Sequence, residues 1–285
     1  DKQGISKKVL MDFNVYKKAI DQLKQFRNPV RKIILAGFGE PLLHKDIVAM
    51  IEYASKNKVA ENIEIVTNGS LLTPEMSDAI IAAGLNSLRI SVNGLSDKEF
   101  IQYTGTRVNF DKYLENIKYF YENSGQAYVK IKILDYMVEG ERETLFFNLF
   151  SNISHCAIIE SLQPMVEEID YNAITSNSFS KSIRGNDRVQ SEICAQPFYT
   201  MNIDTEGNIT PCCVENVQVV MGNVNQDNIS KIWNSEKFNQ FRIRLLKGIR
   251  NIQDECSKCS VYLTTMTKED VLDPDADRII ALFEK

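Results

Sequence analysis

Two hydrophobic periods alternate along the first 160 residues. Between Val9 and Phe26 the apolar residues Leu10, Phe13, Tyr16, Ile20 and Leu23 recur at three- and four-residue spacing, which predicts a helix that Asn28-Pro29 stops. The apolar run from Lys32 to Ala36 then predicts a strand, and Asp46 to Ala54 a helix with Ile47, Met50 and Ile51 on one face. Glu61 to Val66 is the next strand. Thr73 as cap and Pro74 at the first helical position open a helix that runs through Ile80 and Ile81 to Gly84. Ser87 to Val92 is extended. Asp97 to Tyr103 and Asp111 to Glu122 are helical, the latter with Tyr113, Leu114, Ile117 and Phe120 on its apolar face. Tyr128 to Leu134 alternates as a strand, Glu141 to Phe150 is a helix, and Ala157 to Leu162 closes the series. The order α-βα-βα-βα-βα-β predicts a parallel sheet wrapped by helices.

Three consecutive strands end in polar residues: Gly37-Phe38-Gly39-Glu40-Pro41, Thr67-Asn68-Gly69 and Ser91-Val92-Asn93-Gly94. Ligands bind at the carboxyl ends of parallel strands. Gly37 and Gly39 let a ligand approach the backbone. The Glu40 carboxylate suits an ammonium group better than a phosphate. Taken singly, each residue is an ordinary turn or cap former. Together they offer a carboxylate, two amides and a hydroxyl, a set that suits a ligand carrying an amino acid and a ribose.

The periodicity dissolves from about Glu167 to Val189, where Asn172, Thr175, Ser178, Ser180 and Gly185 make a polar connector or lid. Beyond it, Tyr199 to Ile203 and Asn208 to Pro211 flank Asp204-Thr205-Glu206-Gly207, a hairpin signal that folds Cys212 back alongside Tyr199 and towards Cys194. Asn228 to Trp233 is a short helix. Ser235 caps a second, with Phe238, Phe241 and Leu245 as its buried face, and the chain then returns to Cys256-Ser257-Lys258-Cys259. Four sulfurs are thus gathered, and zinc and a [4Fe-4S] cluster both accept four thiolates. Cys156 and Cys213 read as small buried side chains. Asp273 to Lys285 reads as a capped tail helix with Ile279, Ile280 and Phe283 on its apolar face.

Composition narrows the partners. With 285 residues, one large domain or one plus a small one is expected. A net charge of −5 argues against a general nucleic-acid binder, and no apolar run approaches the ~20 residues needed to span a bilayer. Four of the six cysteines, Cys194, Cys212, Cys256 and Cys259, cluster in the last third, and without a secretory signal such clustering favours metal or cluster ligation over disulfides, and a cytoplasmic location. His44 and His155 read as packing or surface residues. Glu160, Gln163, Glu167 and Glu168 could face a substrate, although solvated turn positions are their plainer reading.

These motifs resemble those of the radical S-adenosylmethionine (SAM) enzymes that carry a twitch or SPASM-type auxiliary-cluster domain. Gly37-Phe38-Gly39-Glu40-Pro41 is similar to that family's GGEP motif, with Phe38 in place of its first motif glycine. Thr67-Asn68-Gly69 and Ser91-Val92-Asn93-Gly94 resemble the next two strand-end motifs, and Tyr103 to Ile117, with Arg107 and Phe110, the loop and helix that follow. Cys194, Gly207-x4-Cys212-Cys213, Trp233 and Cys256-x2-Cys259 resemble the auxiliary domain.

The resemblance implies a partial (β/α)6 TIM-like barrel over residues 1–166, a linker or lid at 167–190, a small α+β cluster domain at 191–262 and a tail helix at 263–285. It implies that Gly37, Phe38, Gly39 and Glu40 hold the SAM amino group, with Asn68, Ser91, Asn93 and Arg107 around its ribose and carboxylate. Cys194, Cys212, Cys256 and Cys259 would bind one auxiliary [4Fe-4S] cluster, since no cysteine follows Cys259 to serve a second. The family's C-x3-C-x2-C motif, which binds the cluster that cleaves SAM, is absent, and by the resemblance it would lie before Asp1. As presented, these residues could not cleave SAM. The implied activity is a 5′-deoxyadenosyl radical abstracting hydrogen from a substrate carbon, with the auxiliary cluster accepting an electron. An alcohol on a sugar-like or cyclitol substrate is the first expectation. A peptide substrate, or a cluster-binding module without catalysis, is the alternative. An electron donor such as flavodoxin or ferredoxin is the implied partner.

Overall fold

The computed structural model describes residues 10–37, 39–164, 169–175, 179–212, 219–252, 255–259 and 261–284. Phe38, Glu167, Glu168 and Cys213 of the sequence reading lie outside the described residues. The chain forms two compact units, Asp1–Glu160 and Ser161–Lys285.

In the first unit, α1 is Phe13–Leu23. It starts later than the apolar spacing suggests because the Asp12 side chain caps it, accepting the backbone N–H of Asn14 at 2.7 Å. Leu10 and Met11 therefore precede the helix. There follow β1 (Ile33–Leu35), α2 (Ile47–Asn57), β2 (Ile63–Thr67), α3 (Pro74–Ala82), β3 (Ser87–Ser91), α4 (Asp97–Thr104), α5 (Phe110–Asn123), β4 (Tyr128–Leu134), α6 (Glu141–Phe150) and β5 (Cys156–Glu160). Caps set most of these boundaries: Thr73 before α3, Ser96 before α4 and Asn109 before α5 each accept a backbone N–H of the first turn.

All five strands are parallel, in the order β1-β2-β3-β4-β5. Sequential order with right-handed crossovers puts every connecting helix on one face of the sheet. The alternation of side chains agrees. Ile63, Ile65, Leu88, Ile90, Val129, Ile131 and Ile133 are buried in the cluster that contains the helices' apolar residues. Glu64, Arg89, Lys130 and Lys132 point to the other face. The sheet is open, so the expected partial barrel is present as a five-stranded half-turn of α/β structure and no closed barrel forms. Phe100, Phe120, Phe146 and Phe150 are fully buried under the helices. Phe120→Ala is expected to cost about 3–5 kcal/mol of stability, read as a fall in the denaturant midpoint.

In the second unit, the short helix α7 (Gln196–Tyr199) precedes β6 (Asn202–Ile203), β7 (Asn208–Thr210) and β8 (Gly222–Asn223), an antiparallel sheet. The hairpin is where the sequence placed it, but the expected strand at Tyr199 is helical. Pro197 sits in the first turn, with its φ already set for a helix. The turn is held by the Asp204 carboxylate, which accepts the backbone N–H groups of Glu206 and Asn208 at 2.9 and 2.8 Å. Then follow α8 (Ile229–Trp233), α9 (Glu236–Leu246), α10 (Val261–Thr265) and α11 (Ala276–Phe283). Ser235 caps α9 as expected, and Phe238, Phe241 and Leu245 are its buried face. A 3-10 turn at Asp273–Asp275 begins the tail, so only Ala276–Phe283 is α-helical. Among the described residues, no helix is long and apolar enough to cross a membrane.

Candidate functional site

At the rim, Glu40 ties the carboxyl ends of β1 and β2 together. Its carboxylate accepts three hydrogen bonds: from the Thr67 hydroxyl at 2.6 Å, from the Asn68 backbone N–H at 2.8 Å and from the Leu42 backbone N–H at 3.0 Å. The turn after β1 is thereby fastened to the end of β2. Ahead of this carboxylate the backbone is open. A Cβ built on Gly37 or Gly39 would meet nothing within 4 Å, so both glycines leave room for a ligand beside the main chain. The chemistry of this rim, an open backbone beside a fixed carboxylate, fits an amino-acid moiety such as that of SAM.

Asn68 is partly committed. Its Oδ1 accepts the Ser70 backbone N–H at 2.8 Å, which leaves its amide N–H groups as donors. Its backbone carbonyl accepts the hydroxyl of Tyr113 at 3.0 Å. Burial, and then the charge of Glu40, push the Tyr113 phenol far above its ordinary range, so it stays a neutral donor. At the end of β3, Ser91 and Asn93 are half-buried, and among the described residues their side chains make no hydrogen bond. The loop beyond them is fixed by Gly94 at φ +150°, where a Cβ would meet Glu99 Cβ at 2.6 Å. Glu99 in turn accepts the Leu95 N–H and pairs with Arg142, both at 2.7 Å. Arg107 is exposed in the loop between α4 and α5, without a side-chain partner among the described residues. That loop is held at the same rim, because the Phe110 N–H donates to Asp97 at the start of α4 at 2.7 Å.

His44 is buried behind the motif. Its Nδ1 accepts the Asp46 N–H at 3.0 Å, so Nε2 carries the proton donated to the Met11 carbonyl at 2.8 Å. His155 lies stacked on Tyr128, with its Nδ1 accepting the Val129 N–H at 2.9 Å. His44 is thus a packing residue and His155 an exposed one, the two roles expected of them. Glu160 and Gln163 are not solvated turn residues. Each is 5% exposed, Glu160 paired with Lys132 at 2.6 Å and Gln163 bonded by Arg188 at 2.7 Å.

The second unit brings Cys194, Cys212, Cys256 and Cys259 around one cavity of about 120 Å3, closed by apolar side chains that include Pro197, Phe241 and Leu245. Cys194, Cys212 and Cys256 are buried and Cys259 is half-buried. Burial first, and then the neighbouring Cys212 and Cys259, push the Cys194 thiol up to about 12. Bound metal reverses that, since a coordinating thiol is deprotonated outright. The donor set fits a cluster. One zinc needs all its sulfurs at about 2.3 Å, whereas a cubane's four irons each take one thiolate. Cys156 is only half-buried and lies on the helix-free face of the sheet, across from Lys130 in register, not in a core.

Sequence reading missed the charged character of that face. Lys32 and Arg89 both pair with Glu64, and Lys130 and Lys132 with Glu160. The signal was present in Lys130-Ile131-Lys132-Ile133, whose period of two alternates charge with core residues. Burial, and next Arg89 and Lys132 against the pull of Glu160, hold the Lys130 ammonium below its usual range.

Known proteins share this organisation. The family model of the radical SAM superfamily matches residues 2–144, and that of an iron–sulfur cluster-binding domain, SPASM, matches residues 194–260. The S-adenosyl-L-methionine-dependent 2-deoxy-scyllo-inosamine dehydrogenase of Niallia circulans is 22% identical over 251 residues, 88% of this chain and 80% of that protein. A GTP 3',8-cyclase of Ectopseudomonas mendocina is 26% identical over 165 residues, 58% of this chain and 47% of that protein. The chain thus spans four fifths of the first relative and less than half of the second. In fold it is similar to BtrN in complex with AdoMet and 2-DOIA, at a TM-score of 0.58 and 22% identity over 91% of this chain and 85% of that one. It is also similar to Streptococcus suis SuiB bound to S-adenosylmethionine, at 0.59 and 18% over 90% and 65%. With its open parallel sheet, its polar strand ends and a match that covers half its length, this chain belongs to the radical SAM superfamily and is an enzyme of the oxidoreductase kind found there.

Proposed function

We propose that this chain is a radical SAM dehydrogenase that oxidises an alcohol carbon of a sugar-like or cyclitol substrate. The observation that carries the reading is the four-cysteine cavity. Cys194, Cys212, Cys256 and Cys259 line it together, so one cluster finds a thiolate for each iron and keeps no corner open for substrate. Such a site suits electron uptake. When bound, SAM and its cluster would supply a 5′-deoxyadenosyl radical to take a hydrogen atom from the substrate carbon, and loss of the hydroxyl proton to solvent and of one electron to the auxiliary cluster would then leave the carbonyl. The likeness to the dehydrogenase of Niallia circulans over most of both chains supports the same reading.

In this reading residues 1–166 are the SAM-binding half, 167–190 the connector, 191–262 the cluster module and 263–285 the tail. Gly37 and Gly39 line the SAM amino acid with open backbone, and Glu40 fixes the turn that presents it. Asn68 amide donors, the Ser91 hydroxyl and Asn93 face the ribose, and Arg107 pairs with the carboxylate. The partner is an electron donor of the flavodoxin or ferredoxin kind. No C-x3-C-x2-C motif occurs among these 285 residues; the test uses the full-length protein.

Anaerobic full-length enzyme with SAM and dithionite is expected to release 5′-deoxyadenosine. With carbon-deuterated cyclitols and sugars as candidate substrates, deuterium should appear in that product, together with a carbonyl compound. Absence of 5′-deoxyadenosine after reduction would instead make the chain a binding module. Deuterium arriving only from peptide substrates would assign it to peptide modification.

A further inference from the structure

The helix-free face of the parallel sheet is charged, and its charges do not balance. Following the register across the strands, this face carries Lys32 and Ile34, then Glu64 and Val66, then Arg89 and Ser91, then Lys130 and Lys132, then Cys156, Ile158 and Glu160. Lys32 pairs with Glu64 at 2.8 Å, and Arg89 pairs with the same carboxylate. Lys130 and Lys132 share Glu160, at 4.0 and 2.6 Å. Four cations therefore share two carboxylates. The side chains of Glu64 and Glu160 are only 5% and 7% exposed, whereas those of the four cations keep between 22% and 38%. The surplus positive charge thus lies on the open side.

Three of the cations crowd one another. Arg89 stands directly opposite Lys130 in register, and Lys132 follows on the same strand and face. Like charges directly opposite each other across neighbouring strands oppose folding. Ile34, Val66 and Ile158 around them add no counter-charge. Lys132 is also the register partner of Ser91, so the cationic group adjoins the strand end that the proposed function gives to SAM.

We propose that Arg89, Lys130 and Lys132 form a subsite for an oxyanion, phosphate or carboxylate, carried by the substrate. The inference rests on the dehydrogenase reading for calling that ligand the substrate. It also separates this chain from the relative named for an inosamine. A protonated amine would be repelled by three cations, so an acidic or phosphorylated sugar-like molecule is the class that fits.

The test is isothermal titration calorimetry of the full-length, cluster-loaded protein with inorganic phosphate and, separately, with acetate. One of the two should bind, and the stronger names the oxyanion. Lys132→Gln should weaken that anion at least tenfold while leaving SAM affinity as it was. Glu160→Gln, which removes a negative charge from the same group, should tighten the anion, a gain that misfolding cannot produce. Binding of neither anion, a shift in the same direction for both variants, or a loss of SAM affinity in place of anion affinity with Lys132→Gln would each overturn the proposal. Release of 5′-deoxyadenosine on reduction is measured in parallel. Its absence would refute the radical reading, while opposite responses of the two variants would still stand as evidence for the anion site.

Discussion

Cys256→Ser with Cys259→Ser should remove one cluster from the full-length enzyme and stop product formation without stopping SAM cleavage. Two residues separate the two sulfurs, Cys256 within a 3-10 turn and Cys259 just after it, at the wall of the same cavity that Cys194 and Cys212 line. Serine hydroxyls hold their protons at neutral pH and replace thiolates poorly as ligands for iron. With half the ligands lost, the remaining pair cannot hold a cubane. Each [4Fe-4S] cluster contains four irons, so iron should fall from about eight per chain to about four. The readouts separate two roles. Release of 5′-deoxyadenosine should persist in the double variant, because it depends on the other cluster, whereas the carbonyl product should disappear. Zinc, found in place of iron in the unmodified protein, would make the site structural and leave the dehydrogenase reading without its electron acceptor. Unchanged iron in the double variant would remove these cysteines from the ligand set.

Much of this was legible in the residues. Strands β1 to β5 stand out because their core-facing positions need apolar residues whatever their neighbours, and two of the helices because Thr73 and Ser235 mark their first turns. The four-cysteine grouping was legible too, since the hairpin around Asp204 to Gly207 and the C-x2-C turn are local structures. What stayed hidden depends on pairing across strands. Glu160 reads as a turn carboxylate until the register shows Lys130 and Lys132 beside it. Tyr113 reads as one more apolar residue of a helix, and only the tertiary fold shows its hydroxyl on the carbonyl of Asn68. Tyr199 reads as the start of the hairpin's first strand, although the preference of Pro197 for a helix's first turn decides the conformation there.

Glu40→Gln should weaken SAM binding and destabilise the fold together, and the coupling of the two effects is the informative result. The sequence alone casts Glu40 as a direct partner for an ammonium group. In the structure its two oxygens already accept from the Thr67 hydroxyl and from the backbone N–H groups of Leu42 and Asn68. Glutamine keeps one acceptor oxygen and turns the other position into a donor. At least one of the three donors then faces an N–H group. Hydrogen bonds to a charged group contribute about 1.5–3 kcal/mol each, and a stranded donor costs a further ~1–3 kcal/mol. These terms overlap, so a net loss of about 2–4 kcal/mol is expected, measurable as a lower denaturant midpoint in the apo protein. Because the same bonds set the turn that holds Gly37 and Gly39, SAM affinity should drop at least tenfold. Lost affinity with unchanged stability would show instead that the carboxylate works chiefly as the ammonium's partner, and that the three internal bonds are replaceable. Lost stability with unchanged affinity would move the SAM amino group away from this turn altogether, towards Asn93, whose side-chain amide oxygen can accept from it and has no other partner among the described residues.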